Sequence, residues 1–419
     1  MKLRDGVSEY PVDHAIVFSL AHGCPPEDDV LLSEMTVGID SIVDFWEKRY
    51  HQEYIPAGGS KIKFITGRSG SGKTHPLRLI QRSAREHRFI SVSFSAQEVW
   101  LHDFKEVYVR ILQECHLEEL MVLCSHRIIE ALGFDHAQIP DGMTFLDHLS
   151  QVGLADALTR REIRMQLKTL FLDNTALDNN FALACSLLCG GILGHPILEV
   201  QSRQTLLAWF EGDKSVKAAG LRALGLAPSR LTKFNARHML RSLAEIVRLA
   251  GYSGIQVCID DLEVLIDRSS MNPMHYTKMK RDDTYESIRQ LIDDIDTFRH
   301  LLIVFAFDSS LLTDEQMGIK SYQALWMRIQ NEIVSTRLNL FADILDMDTV
   351  SAQLFSPPIL VKMSSRLASA VNMMNMHARA IDESEAREIL AIARHSELSV
   401  PALVQRATMT VEGELSHDH

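Results

Sequence analysis

Residues 67–74 read Gly-Arg-Ser-Gly-Ser-Gly-Lys-Thr, one glycine, four residues, then Gly-Lys-Thr. This is Walker A spacing, and its positions have distinct physical tasks. Gly67, Gly70 and Gly72 let the backbone wrap a phosphate chain where a Cβ would obstruct it. Loop amides and the N-terminus of the following helix present partial positive charge to an anion. Lys73 carries a point charge for the β- and γ-phosphates, and the Thr74 hydroxyl is a Mg²⁺ ligand. Arg68, Ser69 and Ser71, with His75 adjoining the loop, complete the stretch expected to line a nucleotide. A chance glycine-rich turn would need neither a strand before it nor a helix after it, and both are expected here.

A second acidic cluster follows an apolar run in Ile255–Glu263, IQVCIDDLE. Asp260 stands where a Walker B aspartate holds Mg²⁺ through water. Asp261 occupies the place of the carboxylate that activates the attacking water, and Glu263 lies two residues further on. A strand that merely ends in acidic loop residues is the bland alternative, and pairing with a Walker A loop weighs against it. A third apolar run, Leu301–Phe307, ends in Asp308, Ser309 and Ser310. Ser309 is a candidate γ-phosphate contact, and a helix N-cap is the equal alternative. Arg328 follows on a helix, either as a finger toward a neighbouring subunit's nucleotide or as an exposed helix arginine.

The elements that must position these groups can be read from periodicity. Strands are expected over 61–66, 89–96, 255–259 and 301–307, the last two as fully buried runs of a parallel sheet. Helices are expected over about 73–87, 236–250 and 283–299. Pro76 falls in a first turn, where it is tolerated. From about Val107 to Leu249 the pattern is almost entirely helical and reads as an insertion between strands. Helical spacing also marks Ile16, Val17 and Leu20, then Ile39 to Trp46, with a Gly-Cys-Pro-Pro break between. After Tyr322 only helical patterns remain. The expected fold class is α/β, a P-loop NTPase sheet with a large helical insertion and a C-terminal all-α lid. The expected division is 1–60, 61–335 and 336–419.

The charge balance, 43 Lys+Arg against 55 Asp+Glu or −12 net, argues against a general nucleic-acid coat. Lys278, Lys280 and Arg281 form one short basic run, expected to be a solvated loop. The six cysteines form no CxxC pair, and Cys185 and Cys189 share one helical face; buried, reduced thiols are expected. No histidine has metal spacing. The opening residues are too polar for a secretory signal, and the most apolar stretch, Phe181–Gly194, is shorter than the ~20 residues of a membrane span. A cytoplasmic protein without membrane contact is expected.

Taken with IPAGGSKIKF before the loop, LLAWFEGD (Leu206–Asp213), AGYSGIQVCIDDLEVL (Ala250–Leu265), LLIVFAFD and SYQALWMRI, these motifs carry a family resemblance. The chain resembles the ATP-binding proteins of BREX-type bacteriophage-exclusion systems, in particular the short branch called protein D. The similarity runs from about His22 to Arg328 and fades in the insertion and the C-terminal helices. It implies an AAA+-like fold related to origin-recognition and STAND ATPases, with ATP and Mg²⁺ as ligands. By position it implies Val37 and Gly38 against adenine, Gly67, Gly72, Lys73 and Thr74 on phosphate and metal, Asp260 on the metal, and Arg328 as the finger. Asp261 departs from the family's usual Glu, which implies slow hydrolysis. The implied setting is antiphage defence, with protein partners such as a helicase, DNA reached through the complex, and a homo-oligomer. ATP-driven remodelling of a partner, a slow nucleotide-gated switch or scaffold, and a helicase or transposase loader are the three functions to separate.

Overall fold

A computed structural model describes residues 25–26, 28–269, 273–333, 338–372 and 377–409. Ile16, Val17, Leu20, Cys24 and the tail histidines lie outside them. Five strands form one sheet in the order β2-β3-β4-β1-β5: β1 Ser60–Gly67, β2 Phe89–Ser95, β3 Gly254–Asp260, β4 Leu301–Asp308 and β5 Ile344–Asp346. Every pairing is parallel. Such a sheet must be covered on both faces, and alternation along β4 shows how. Phe305 and Phe307 point into one apolar cluster and Leu302, Val304 and Ala306 into another.

Helices α1 (Asp29–Met35) and α2 (Asp40–Trp46) precede β1, and α2 runs on as a π-helical stretch, Glu47–Tyr54. Helix α3 (Thr74–Glu86) follows the glycine loop and packs on the second face with Leu77 and Ile80 buried. Between β2 and β3 the described chain is helical, from α4 (Phe104–Glu114) through α5 (Leu117–Ala131) and α6 (Asn179–Leu193) to α7 (Ala236–Leu249). These helices cover the first face. Cys185 and Cys189 are both buried on α6, and burial pushes both thiols well above the ordinary range. Among the described residues no helix is long and apolar enough to cross a membrane.

Two expectations need correction. Lys278, Lys280 and Arg281 are not a solvated loop but the first turn of α8 (Lys278–Asp294), capped by the Thr277 side chain. Lys280 Nζ lies 3.6 Å from the centre of the Trp100 ring, and Arg281 is buried. The turn has no acidic residue, so the usual signal of a helix start was missing. The second correction is β5, which lies in a segment expected to be only helical. It pairs with Phe64–Thr66 of β1 over three residues, too few for a period of two to register. Beyond it the chain is helical: α11 (Met347–Leu354), α12 (Pro357–Asn372), α13 (Glu383–Ile392) and α14 (Val400–Met409). Short α9 (Ser310–Thr313) and α10 (Gln323–Ile333) lie between β4 and β5.

A lysine in the middle of a strand is the least expected core residue. The Lys63 side chain is 1% exposed, with its ammonium 5.8 Å from the Trp46 ring and 5.4 Å from the Tyr50 ring. It donates to the carbonyl oxygens of Phe341 and Ala342, just before β5. The Asp343 carboxylate at 3.6 Å, the carbonyl acceptors and the cation–π contacts together offset the desolvation of its charge.

Candidate nucleotide site

Strand register brings the chemistry to one edge. Gly67 pairs with Asp308 and Ser95 with Asp260, so the carboxyl ends of β1, β4, β3 and β2 lie side by side. Ligands of open parallel sheets bind outside this end. Strand β4 separates the glycine-loop strand from β3, yet the Thr74 hydroxyl donates to Asp260 Oδ2 at 3.2 Å across that gap. A hydroxyl and a carboxylate from two non-adjacent strands therefore converge. Among the described residues no group of three or more His, Cys, Asp or Glu could hold a metal. One carboxylate with one hydroxyl is instead the donor set that suits Mg²⁺, which fills its octahedron with water and substrate phosphates.

The loop itself is shaped for an anion. Gly70 and Gly72 have φ of 70° and 86°, conformations that favour glycine. Lys73 Nζ donates to the carbonyls of Gly67 and Arg68 at 3.0 and 3.1 Å and lies 3.7 Å from Asp308 Oδ2. Ser69, Gly70, Ser71, Gly72, Lys73, Thr74 and His75 line a cavity of about 370 Å³. That volume is within the range of small-molecule sites. Its far wall is apolar and comes from distant segments: Val37 before α2, Met347 and Phe355 at either end of α11, Met363 and Leu367 on α12, Pro401 and Ala402 on α14. His75 Nε2 lies 2.9 Å from Thr36 Oγ1, and burial pushes the ring down to about 4.

The acids occupy distinct surroundings. Burial raises the Asp260 carboxyl above the usual range, opposed chiefly by the backbone N–H of Asp261 at 2.9 Å. Asp261 has left-handed backbone angles, φ 59° and ψ 35°, and its Oδ2 accepts from Ser95 Oγ at 2.6 Å. Glu263 is also raised by burial, and its Oε2 accepts from the backbone N–H of Asp308 at 3.0 Å.

Not every candidate faces the cavity, and Asp260, Asp261 and Glu263 are not among its lining residues. Ser309 is not among its lining residues; its backbone N–H donates to the Gly67 carbonyl at 3.1 Å, joining the tip of β4 to the loop. Gly38, at φ 81°, packs behind Val37, where a Cβ would come within 2.9 Å of Ile359. The Arg68 guanidinium turns outward to Asp348. Arg328 is held in a two-pronged pair by Asp293, with both contacts at 3.0 Å, and does not line the cavity of its own chain. Sequence reasoning missed Ser95, Asp348 and the apolar wall other than Val37. Ser95 had a faint signal as the polar last residue of an alternating strand. The wall had none, because its Met and Leu residues look like any helix core.

The family model described as BREX system ATP-binding protein BrxC/D matches residues 11–398. The chain belongs to this family. No curated protein and no solved structure matches the chain at a significant level. Membership makes this BrxC/D chain an ATP-binding component of a BREX system. At the glycine loop a strand–loop–helix unit, one lysine and a cavity roofed by C-terminal helices come together.

Proposed function

We propose that this BrxC/D chain hydrolyses ATP with Mg²⁺, slowly, and uses the nucleotide to set the assembly state of its defence complex. The observation that carries the reading is the Thr74–Asp260 contact, which places a metal-type hydroxyl and carboxylate beside the only cation among the described cavity-lining residues. Bound Mg²⁺ would supply charge neutralisation at the phosphate oxygens, held by Thr74 and Asp260. The chain's own groups do the rest. Glycine-loop amides and Lys73 bind phosphate, the apolar wall around Phe355 and Met363 takes the base, and Asp261 orients water. Ser95 supports the slow reading, since its hydroxyl engages Asp261, the carboxylate proposed to orient water.

The second reading, a remodelling motor, is favoured by Arg328, whose exposed position on α10 suits contact with another copy. The decisive test is a titration with fluorescent ATP. Lys73→Ala is expected to abolish binding or weaken it severely, and Asp260→Ala to bind nucleotide yet lose Mg²⁺-dependent turnover. Wild-type affinity in folded Lys73→Ala would overturn the site.

A further inference from the structure

Arg68 is the first loop residue after β1, and its side chain points away from the cavity. Its backbone N–H donates to Asp348 Oδ2 at 2.8 Å and its Nε to Asp348 Oδ1 at 3.1 Å. Its Nη1 donates to the Ser396 carbonyl at 2.6 Å. Asp348 opens α11, directly after β5, and Ser396 lies in the turn between α13 and α14. One arginine thus binds the glycine loop to both parts of the C-terminal segment. A second contact repeats the link: a Cβ on Gly70 would come within 2.9 Å of Ala402 on α14. Loop and helix are in contact there, with no room for a side chain at position 70.

The inner side of the same residue meets Lys73. An ammonium has three N–H donors. In this structure two of them go to the carbonyls of Gly67 and Arg68, and Asp308 lies 3.7 Å away. Contact with two phosphate oxygens therefore requires the lysine to release at least one loop carbonyl. The Arg68 peptide is thereby exposed to phosphate occupancy on one side and to α11 and α14 on the other. Resting on the nucleotide reading above, we propose that Arg68 is a positioning residue, a latch that couples phosphate occupancy to the seating of the C-terminal helices over the nucleotide.

The test measures hydrogen exchange over 396–409 in the full chain, with and without ATPγS and Mg²⁺, beside nucleotide titration and steady-state kinetics. In the wild type, nucleotide slows exchange there. Arg68→Ala and Asp348→Ala are each expected to bind nucleotide and to lose that protection. Their nucleotide affinity falls only about tenfold, as reciprocity requires of a coupling of ordinary allosteric size, and kcat falls as well. Arg68→Lys, which can still meet Asp348, restores part of both. Protection that persists in both alanine variants would overturn the latch. So would affinity that collapses together with protection, because Arg68 would then be a phosphate ligand. Asp348→Ala carries the test alone if Arg68→Ala does not fold. A wild-type chain that binds no ATPγS would instead remove the nucleotide reading, a result separable from failure of the latch.

Discussion

On the proposed reading Asp261 serves as the water-activating carboxylate and Glu263 does not. A general base must come within ~3 Å of the water it activates, and withdrawal by about one methylene can cost ~100-fold in rate. Asp261 is one methylene shorter than Glu and is tethered to Ser95 at 2.6 Å. Asp261→Glu is therefore expected to raise single-turnover hydrolysis, Ser95→Ala to raise it less, and Asp261→Asn to trap bound ATP. Glu263 has a different occupation, accepting the Asp308 N–H and so joining the tips of β3 and β4. Glu263→Gln is expected to keep most turnover. If Glu263→Gln stops hydrolysis and Asp261→Glu changes nothing, the roles are reversed. The position of these acids at a strand end was legible in the sequence, because the apolar run before Asp-Asp forms β3, which ends at Asp260. Their orientation was not, since the left-handed backbone at Asp261 and the Ser95 hydroxyl depend on the pairing of β2 with β3.

The π-helical stretch Glu47–Tyr54 delivers His51 to a buried site between α3 and β3. Its Nε2 lies 2.7 Å from Gln256 Oε1, which can only accept, so Nε2 carries the proton and Nδ1 accepts from Ser83 Oγ at 2.8 Å. Burial, the main cause, pushes the ring down to about 4 from its ordinary 6.5. Between these values the unfolded chain binds the proton and the folded chain does not, so stability falls as pH drops from 6.5 toward 4 and is flat above. A shift of that size is worth on the order of 3 kcal/mol over the window. Urea unfolding at pH 7.5, 6 and 5 is expected to show this slope, reduced in His51→Gln. Equal slopes would refute the assignment. Periodicity made the neighbouring elements readable: Ile39, Ile42 and Trp46 marked α2, and LLIVFAF marked β4. It could not show that helix geometry widens after Trp46, nor that β5 exists, because both follow from packing on β1.

The cavity draws its polar floor from residues 69–75 and most of its apolar wall from 347–405, so the site belongs to the whole chain. Arg328, paired with Asp293, stays at the surface. If it serves a neighbouring copy, turnover per chain should rise with protein concentration, and Arg328→Ala should abolish that rise while leaving affinity unchanged. A concentration-independent rate would confine Arg328 to its ion pair. One feature of the sheet bears on how the molecule is made. Strand β1 is synthesised first, yet its neighbours are β4 and β5, which are among the last to emerge. At 5–20 residues per second the ribosome needs about 10–50 s to pass from the glycine loop to Leu301. Through that interval β1, with Ile62, Phe64 and Ile65, has no strand beside it and offers two bare edges to any chaperone or passing chain. A nascent chain halted before Leu301 should therefore hold no ATP, and the phosphate loop becomes competent only near the end of translation.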